Sequence, residues 1–501
     1  MNEENQPAVS QKDVNDIAWK ACNKLRGPVS SDQYKDYILI MLFYKYISDV
    51  FNEDMSKINE QYGDDEKWIQ RKVEKLRFVI PENSSFDKVF LQRAKDDIGE
   101  IMDKALAAIA QNNREKLEGI FKESFFNSDE RLGTARERQG RLCELLEAFN
   151  ELDLRPSQIG SSDIIGNCYL YLISKFASDA GKKGGEFYTP NEVAKLLAQL
   201  VQPKSGDRIC DPTCGSGGLL VEAANQVKDG NCSIFGQEIN HDTFALARMN
   251  MFLHENDFAD IKKGDTLKAP QFIEDDKLMK FDVVVANPPF SQEWDVMLGK
   301  SDQYTRFHRG IAPKSKGDWA FISHMVESVV ETDGRVGVVV PLGVLFRGSS
   351  EGSIRQSMIE ENLLDAVIGL PSKLFFGAGI PAAILLFKKG REREDVLFVD
   401  ASHEFESGTK QNKLTEEHLS KIVKTYQGFE SIEKYSHVAT REKIIENEYN
   451  LNIPRYVDTF EAEAEIVIED VQKEMADTEK QLVEVQQRIK GFLAELKLED
   501  A

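Results

Sequence analysis

The stretch RICDPTCGSGGLLVEAANQV, residues 208–227, begins as a short β-strand and continues through a glycine-rich turn into a helix. Glycines in such a turn let the backbone approach a ligand closely, and the start of the helix presents N–H donors. A second strand, SIFGQEI at residues 233–239, places Glu238 at its end. A carboxylate roughly 20 residues beyond the turn can accept hydrogen bonds from both hydroxyls of a ribose. This pairing predicts a site for an adenosine-bearing cofactor.

Around this unit, apolar β-branched segments alternate with amphipathic helical segments. Further strands are predicted at FDVVVA, GRVGVVVP, LLDAVIGLP, AAILLFKK and DVLFVD, and the last core strand is expected near Phe398. Such alternation is typical of a parallel sheet covered by helices on both faces, which binds ligands at the carboxyl ends of its strands. The sequence therefore predicts an α/β fold with a Rossmann-like core.

The two ends of the chain differ from this core. Residues 10–160 are predicted to be helical, because residues 34–51 are apolar on nearly every side and glycines are few. Near the C-terminus, apolar residues recur at alternating spacings of three and four, which is typical of a long, coiled-coil-like helix. The members of this seam are Ile468, Val471, Met475, Thr478, Leu482, Val485, Ile489, Phe492 and Leu496. We expect three domains, with bounds 1–160, 161–450 and 451–501.

Composition excludes several classes of function. The 501 residues carry a formal net charge of −22, so contacts with nucleic acid must be local or shared with a more basic partner. A hydrophobic content of 41% excludes global disorder. No apolar run reaches the ~18–20 residues of a membrane helix, and the polar N-terminus lacks a signal-peptide core. Six cysteines without a CxxC pair or a histidine at zinc-ligand spacing indicate free thiols in a reducing cytoplasm, with no metal site.

The glycine turn also discriminates between cofactors. It is not GxGxxG, which weakens the case for a nicotinamide or flavin dinucleotide, and it is not GxxxxGK[ST], which excludes a P-loop. Asp211, at the start of the turn, suits S-adenosylmethionine, because a carboxylate near the sulfonium or amino group is favourable and no pyrophosphate has to be bound. Asp265 falls where a third strand should end, and it can either bond the adenine amino group or cap a turn.

Four residues directly after the apolar strand FDVVVA indicate the reaction: Asn287, Pro288, Pro289 and Phe290. The prolines stiffen the backbone and remove two N–H donors. An amino group on a ring can donate its hydrogens to the Asn287 side-chain oxygen and the Pro288 carbonyl, which directs its lone pair towards the cofactor methyl. Phe290 offers a face on which a planar base can stack. We expect direct in-line transfer, with no enzyme nucleophile.

These motifs, taken in order, resemble those of amino-methylating DNA adenine methyltransferases. They are GEFYTP (185–190), DPTCGSGGLL (211–220), Glu238, GDTL (264–267) and NPPF (287–290). Together with the N-terminal helices, the chain is similar to the modification subunits of type I restriction–modification systems over almost its whole length. The resemblance implies that residues 186–190 line the methionine side of the cofactor. The cofactor-binding residues it implies are Glu186, Phe187, Tyr188, Thr189, Pro190, Asn191, Asp211, Gly215, Ser216, Gly217, Gly218, Glu238 and Asp265.

The resemblance also implies a biological setting. As a site-specific adenine methyltransferase, the chain would methylate the N6 amino group of a flipped-out adenine in double-stranded DNA and so protect host DNA from restriction. The residues after Phe398 contain no basic and aromatic run suited to reading a groove, so a separate specificity subunit is expected to choose the site. Residues 451–501 would dock on that subunit, with packing of their apolar seam on the body of the same chain as the alternative. Residues 1–160 would close around DNA or dock a neighbouring subunit. Further expected partners are a second modification subunit, so that two modification subunits flank one specificity subunit, and a restriction subunit for cleavage.

Two alternatives from other classes stay open. An RNA- or protein-glutamine-directed methyltransferase would keep the NPP[FY] motif and the cofactor turn, and a catalytically silent assembly subunit would bind the cofactor without transferring a methyl group. Local cations are also expected either to rim the catalytic face or to be merely solvated. These are Lys182, Lys183, Arg306, His308, Arg309, Lys314 and Lys316.

Overall fold

The computed structural model describes residues 10–25, 31–63, 65–121, 124–159, 163–180, 188–376, 379, 381–409, 411–459 and 468–495. The chain divides into two units, Met1–Val457 and Asp458–Ala501. The first unit holds a helical N-terminal part and a large sheet with its covering helices. In the second unit, the described residues form one helix, α19 (Ile468–Glu495).

The N-terminal part of the chain is helical, as predicted. Its helices are α1 (Gln11–Leu25), α2 (Ser31–Tyr62), α3 (Glu66–Val73), α4 (Phe86–Phe90), α5 (Ile98–Asn112), α6 (Arg114–Leu117), α7 (Asp129–Leu132), α8 (Ala135–Asn150), α9 (Pro156–Ile159) and α10 (Asp163–Ala180). Residues 36–50 of α2 are buried on every side, because a helix that is apolar all round has to be enclosed by its neighbours.

The sheet has nine strands in the order β11-β10-β8-β9-β7-β6-β1-β2-β3. The strands are β1 (Arg208–Asp211), β2 (Ser233–Glu238), β3 (Asp260–Lys263), β6 (Val283–Ala286), β7 (Arg335–Pro341), β8 (Leu364–Gly369), β9 (Ala382–Lys388), β10 (Val396–Asp400) and β11 (Ser436–Ala439); a separate hairpin comprises β4 (Ile273–Glu274) and β5 (Lys277–Leu278). Strand β1 pairs in parallel with both β2 and β6. Every strand predicted from an apolar segment is therefore present.

Helices cover both faces of the sheet, as the fully apolar strands indicate. These helices are α11 (Asn191–Val201), α12 (Gly218–Asn225), α13 (His241–Leu253), α14 (Val296–Lys300), α15 (Asp318–Glu327), α16 (Ser350–Glu360), α17 (Glu416–Gly428) and α18 (Arg441–Glu446), and 3₁₀ turns occupy Leu342–Leu345 and Ile453–Arg455. Val283 and Val285 face a core with α11 and α12, whereas Val284 and Ala286 face one with α15 and α16.

The sheet differs from the prediction in two respects. It is mixed, not purely parallel, because β9 runs antiparallel to both β7 and β8, and β11 runs antiparallel to β10. The described residues between β8 and β9 contain no helix, so the chain turns back without the crossover that a parallel pair requires. The expectation that the last strand lies near Phe398 is also wrong, since β11 follows it; this short, half-exposed edge strand has no apolar run to reveal it.

The helical part shares a hydrophobic core with α13, one of the helices that cover the sheet. Leu246, Met249 and Phe252 of α13 belong to the same buried cluster as Tyr37 and Phe43 of α2. Because α13 directly follows β2, this packing ties the helical part to the strand that carries Glu238.

Two further features concern the chain as a whole. None of the helices in the described residues combines the length and apolar character needed to span a bilayer. All six cysteines are free thiols, as predicted.

Candidate active site

The carboxyl ends of β1 and β6 border a cleft at one edge of the sheet. The cleft is lined by Tyr188, Thr189, Asp211, Thr213, Cys214, Gly215, Ser216, Gly218, Leu219 and Asn287. The structure thus brings together residues from three segments that lie far apart in the sequence: the end of GEFYTP, the glycine turn and the NPPF tetrapeptide. Among the predicted site residues, Glu186 and Phe187 lie outside the described residues, as do Lys182 and Lys183.

The glycine turn is held in place by its neighbours. Gly217 has φ of 80°, a left-handed conformation that favours glycine, and a Cβ there would lie 2.7 Å from the Cε of Met251. The N–H of Gly215 donates to Glu238 Oε2 at 3.0 Å, and Asn250 Nδ2 donates to the Ser216 carbonyl at 2.9 Å. The turn is therefore fixed both by the predicted ribose-binding carboxylate and by a buried asparagine of α13, which the sequence did not single out.

Two carboxyl groups at this end of the sheet lack a compensating charge. Burial raises the pKa of the Asp211 carboxyl to about 8, and the negative charge of Glu238 adds to the rise, against the opposing N–H of Thr213. Burial also raises the pKa of Glu238, although the N–H groups of Asn240 and Gly215 lower it. Neither carboxyl group has an ion-pair partner among the described residues. A cationic, hydroxyl-bearing ligand fits such a pair, because its charge would offset the cost of burying them.

Asp265 caps the turn that follows β3. Its Oδ1 accepts the N–H groups of Leu267 at 3.0 Å and Lys268 at 3.2 Å. Buried Arg306 supports the same turn, donating to the carbonyls of Thr266 and Leu267 at 2.9 Å each. The turn-capping role weighed from the sequence is therefore present.

The two polar atoms of the Asn287 side-chain amide differ in their hydrogen bonding. Its Nδ2 donates to Thr189 Oγ1 at 3.1 Å, which fixes the orientation of the amide. Its Oδ1 is buried and has no hydrogen-bond partner among the described residues. A buried acceptor without a donor is costly, so a ligand that brings an N–H group to this oxygen would be favoured.

Two pairs of aromatic side chains involve predicted site residues. Phe290 packs edge-to-face against Phe375, with ring centroids 5.7 Å apart. The ring centroids of Tyr188 and Phe376 are 5.9 Å apart. The sequence assigned a base-stacking role to Phe290 alone. Phe375 and Phe376 follow β8 in the segment LPSKLFFGAGI, where nothing but two adjacent aromatic residues could have indicated them.

The remaining predicted residues have clear positions. Pro190 is the N-cap of α11, and its carbonyl accepts the N–H groups of Val193 and Ala194 at 3.0 and 2.9 Å. Asn191 is exposed at the first position of that helix, and Pro288 is buried.

Two of the predicted rim cations are already neutralised. Arg306 is 2% exposed and pairs with Asp302 at 2.7 Å. Arg309 forms ion pairs with Glu327 and Glu361, each at 2.6 Å. Neither guanidinium is available to a phosphate, because both are already paired with carboxylates. The sequence pattern did not reveal these acidic partners. Of the other described rim residues, His308 and Lys314 are exposed and Lys316 is half-exposed.

Two buried cysteines belong to β1 and the turn after it, and one of them, Cys214, lines the cleft. Burial raises the pKa values of the Cys210 and Cys214 thiols, so both stay protonated and are poor nucleophiles. No group of three or more His, Cys, Asp or Glu side chains in the described part of the chain is arranged to hold a metal ion.

Comparison with known proteins gives consistent matches. The family described as N-6 DNA Methylase matches residues 160–465, and the HsdM N-terminal domain matches residues 14–149. The methylase subunit of the type I restriction enzyme MpnII from Mycoplasma pneumoniae is 31% identical over 96% of each chain. That of MjaVIII from Methanocaldococcus jannaschii is 32% identical over 92% of this chain and 81% of its own length. The crystal structure of a type I methyltransferase subunit from Streptococcus thermophilus superposes with a TM-score of 0.81 at 34% identity, covering 90% of this chain and 100% of that one.

Proposed function

Because the chain belongs to the N-6 DNA methylase family and to the methylase subunits of type I restriction enzymes, we propose that it methylates the N6 amino group of adenine in double-stranded DNA, using S-adenosylmethionine. The observation that carries the proposal is the buried Oδ1 of Asn287, which has no hydrogen-bond partner among the described residues, in a cleft that Asp211 also lines. The carboxyl groups of Asp211 and of nearby Glu238 have no compensating charge among the described residues. This arrangement suits an amino group as methyl acceptor and a cation as cofactor.

The residues of the cleft, and of the strand ends and turns beside it, suit this cofactor. Glu238 would hold the ribose hydroxyls, Asp265 the adenine, and Asp211 the positive charge of the amino acid part. Gly215, Ser216, Gly217 and Gly218 would form the loop around the ligand, and residues 186–190 would line its methionine side. When bound, S-adenosylmethionine supplies an electrophilic methyl group on a sulfonium, which is a good leaving group.

The target base fits the NPPF tetrapeptide. Asn287 Oδ1 and the Pro288 carbonyl would accept the two hydrogens of the adenine amino group, which directs the nitrogen lone pair towards the cleft. Pro289 keeps this backbone rigid, since it has no N–H and a fixed φ. Phe290, backed by Phe375, would stack on the base.

Positioning accounts for most of the expected rate enhancement. Holding the amino group in near-attack geometry can contribute about 7–11 kcal/mol. Fixed acceptors that stabilise positive charge developing on the nitrogen add a few kcal/mol more. Because N6 lies inside the duplex, the adenine must be flipped out, at a cost of a few kcal/mol that DNA contacts have to offset.

We further propose that the chain works as part of a complex. With a net charge of −22 it lacks the overall positive charge that most DNA binding requires, so a specificity subunit would supply the DNA contacts and choose the site. In this arrangement residues 1–160 close around DNA or dock a neighbour, residues 161–450 carry the chemistry, and residues 451–501 bind the specificity subunit. Two such chains would flank one specificity subunit, and a restriction subunit would add cleavage. We propose that the chain works in the cytoplasm, because its proposed role is to protect host DNA.

The apolar stripe of α19 supports this docking role. The described seam side chains Met475, Leu482, Val485, Ile489 and Phe492 are each at least 50% exposed. The side chains of Ile468, Val471 and Leu496 lie outside the described residues. An apolar helical stripe of this kind gains stability when a partner helix covers it.

The division of labour is tested by tritiated methyl transfer to genomic DNA that lacks its own methylation. We expect transfer when the chain is combined with its specificity subunit and none when the chain is alone. Transfer by the chain alone would contradict the division of labour. No transfer in either case, with cofactor still bound, would point to an RNA or protein substrate, or to a silent assembly role.

Replacing Thr189 by valine is expected to lower kcat about fivefold, because the Asn287 amide loses the acceptor that orients it and a hydrogen bond of this kind contributes about 1 kcal/mol. Thr189→Ser retains the hydroxyl and should keep most of the activity. Steady-state kinetics of the complex, together with calorimetric titration of S-adenosylmethionine, would measure both effects. A weaker cofactor affinity with unchanged kcat would contradict the orienting role.

Cofactor affinity is expected to rise with pH up to about 8, by at most about tenfold per pH unit. At neutral pH the Asp211 carboxyl holds a proton, since its pKa is about 8, and a cationic ligand favours the ionised form. Binding below pH 8 must therefore release a proton. Calorimetry in two buffers of different ionisation enthalpy counts the protons released. The Asp211→Asn variant should not release this proton when the cofactor binds. Identical proton release by the wild type and the variant would contradict Asp211 as its source.

A further inference from the structure

The residue directly after the NPPF tetrapeptide has an unusual backbone conformation. Ser291 has φ of 54°, in the left-handed region that non-glycine residues rarely adopt. Its N–H donates to Asp318 Oδ1 at 2.8 Å. The next residue is also fixed, because the Gln292 carbonyl accepts the N–H of Gly317 at 2.8 Å. The chain leaving the tetrapeptide is thus bound to the start of α15.

Asp318 is itself held by a buried network. It is 2% exposed, and its Oδ2 accepts from Arg347 Nη2 at 2.6 Å. Glu351, also 2% exposed, receives Nε of the same guanidinium at 2.6 Å and Nη2 at 3.0 Å. Arg347 therefore pairs with two buried carboxylates at once, and Asp318 cannot turn away from Ser291 without losing its own ion pair with that guanidinium.

This network does not belong to the cleft. Asp318, Arg347 and Glu351 are absent from the residues that line it, and they come from α15, the segment after β7, and α16. The hydrogen bond from the Ser291 N–H to Asp318 joins this network to the residue that follows the tetrapeptide. Because the φ of Ser291 sets the direction in which the backbone leaves Phe290, that bond constrains the Phe290 ring and the Asn287 end of the turn together.

We propose that Asp318, held by Arg347, is a positioning residue for methyl transfer: it locks Ser291 in the left-handed conformation and so holds the NPPF turn in the geometry that the reaction needs. The inference rests on the proposed function and assigns it a residue outside the cleft. A left-handed non-glycine residue persists only where its surroundings hold it, so without this bond the turn relaxes. Relaxation displaces the acceptors for the amino group while leaving the cofactor turn after β1 unchanged.

Two variants test the inference in the full chain combined with its specificity subunit and a DNA duplex that carries the site. Asp318→Asn retains an oxygen for Ser291 but loses the charge pairing with Arg347, and Asp318→Ala loses both. We expect kcat to fall about tenfold in the first and about 100-fold in the second, since small displacements of reacting groups have effects of that size. The dissociation constant of S-adenosylmethionine, measured by titration, should stay within about twofold of the wild-type value.

Asp207→Asn provides a matched control. Asp207 likewise accepts a backbone N–H, from Lys204 at 2.8 Å, and pairs with an arginine, Arg335, at 2.6 Å, but it precedes β1 at the opposite edge of the sheet. This control should lower the melting temperature and leave kcat unchanged. Wild-type kcat in both Asp318 variants, or a loss of cofactor affinity equal to the loss of kcat, would overturn the inference. A wild-type complex without methyl transfer would instead overturn the proposed function, and the inference with it.

Discussion

Replacement of Asn287 by alanine is expected to lower kcat for DNA methylation by about 10³-fold, the effect of removing a preorganised polar group that stabilises the transition state. The variant loses the buried Oδ1 that would accept a hydrogen of the adenine amino group. It retains Asp211, Glu238 and the glycine turn, so the affinity for S-adenosylmethionine should change little. Single-turnover kinetics of the complex and calorimetric titration of the cofactor would measure the two quantities separately.

A matched control for this variant is Asn447→Ala. Asn447 is also half-buried, and its Nδ2 donates to the Lys443 carbonyl at 3.0 Å, but it follows α18 and does not line the cleft. Its replacement should leave kcat unchanged. If Asn287→Ala instead weakens cofactor binding by the factor by which it lowers kcat, Asn287 serves the cofactor and not the base, contrary to the proposal.

Placing aspartates on the α19 seam is expected to abolish DNA methylation by another route. In the double variant Leu482→Asp, Ile489→Asp, two exposed apolar side chains one heptad apart become charged. Burying an unpaired carboxylate in an apolar interface costs several kcal/mol, so affinity for the specificity subunit should fall at least about 100-fold. Cofactor binding should persist, because the residues that line the cleft all belong to the first unit.

The opposite face of the same helix supplies the control. Lys480 and Gln487 are also one heptad apart and exposed, and at helical spacing they lie away from the seam. The double variant Lys480→Asp, Gln487→Asp should bind the specificity subunit nearly as well as the wild type. Co-purification of the subunits and methyl transfer by the mixture would compare the two variants. Equal behaviour of the two pairs would contradict docking through the seam.

Much of the fold follows from local sequence signals. The run FDVVVA predicts a strand buried on both faces, and Val283 to Ala286 indeed alternate between two cores. The direction of a strand does not follow from its own residues, because it depends on the path of the segment that connects it to the preceding strand. The apolar segment of β9 looks like its parallel neighbours, and only the absence of a crossover helix in the described residues before it makes it antiparallel.

The site was predictable in its motifs but not in its supporting contacts. The glycine turn and the NPPF tetrapeptide are visible because each needs particular residue types at consecutive positions. The bond from Asn287 to Thr189 and that from Ser291 to Asp318 join residues far apart in the chain. Spacing along the sequence contains no signal for such pairs. For the same reason Arg306, predicted as a surface cation, is a buried support for the Asp265 turn.

The identity of the methylated atom tests the central claim most directly. Unmethylated DNA would be incubated with the complex and S-adenosylmethionine carrying a deuterated methyl group, then digested to nucleosides for mass spectrometry. We expect the label in N6-methyladenine and in no other nucleoside, and its loss with Asn287→Ala. Label on a cytosine, on RNA or on a protein glutamine, or no label while the cofactor is bound, would contradict the assignment of this chain as an adenine N6-methylating subunit.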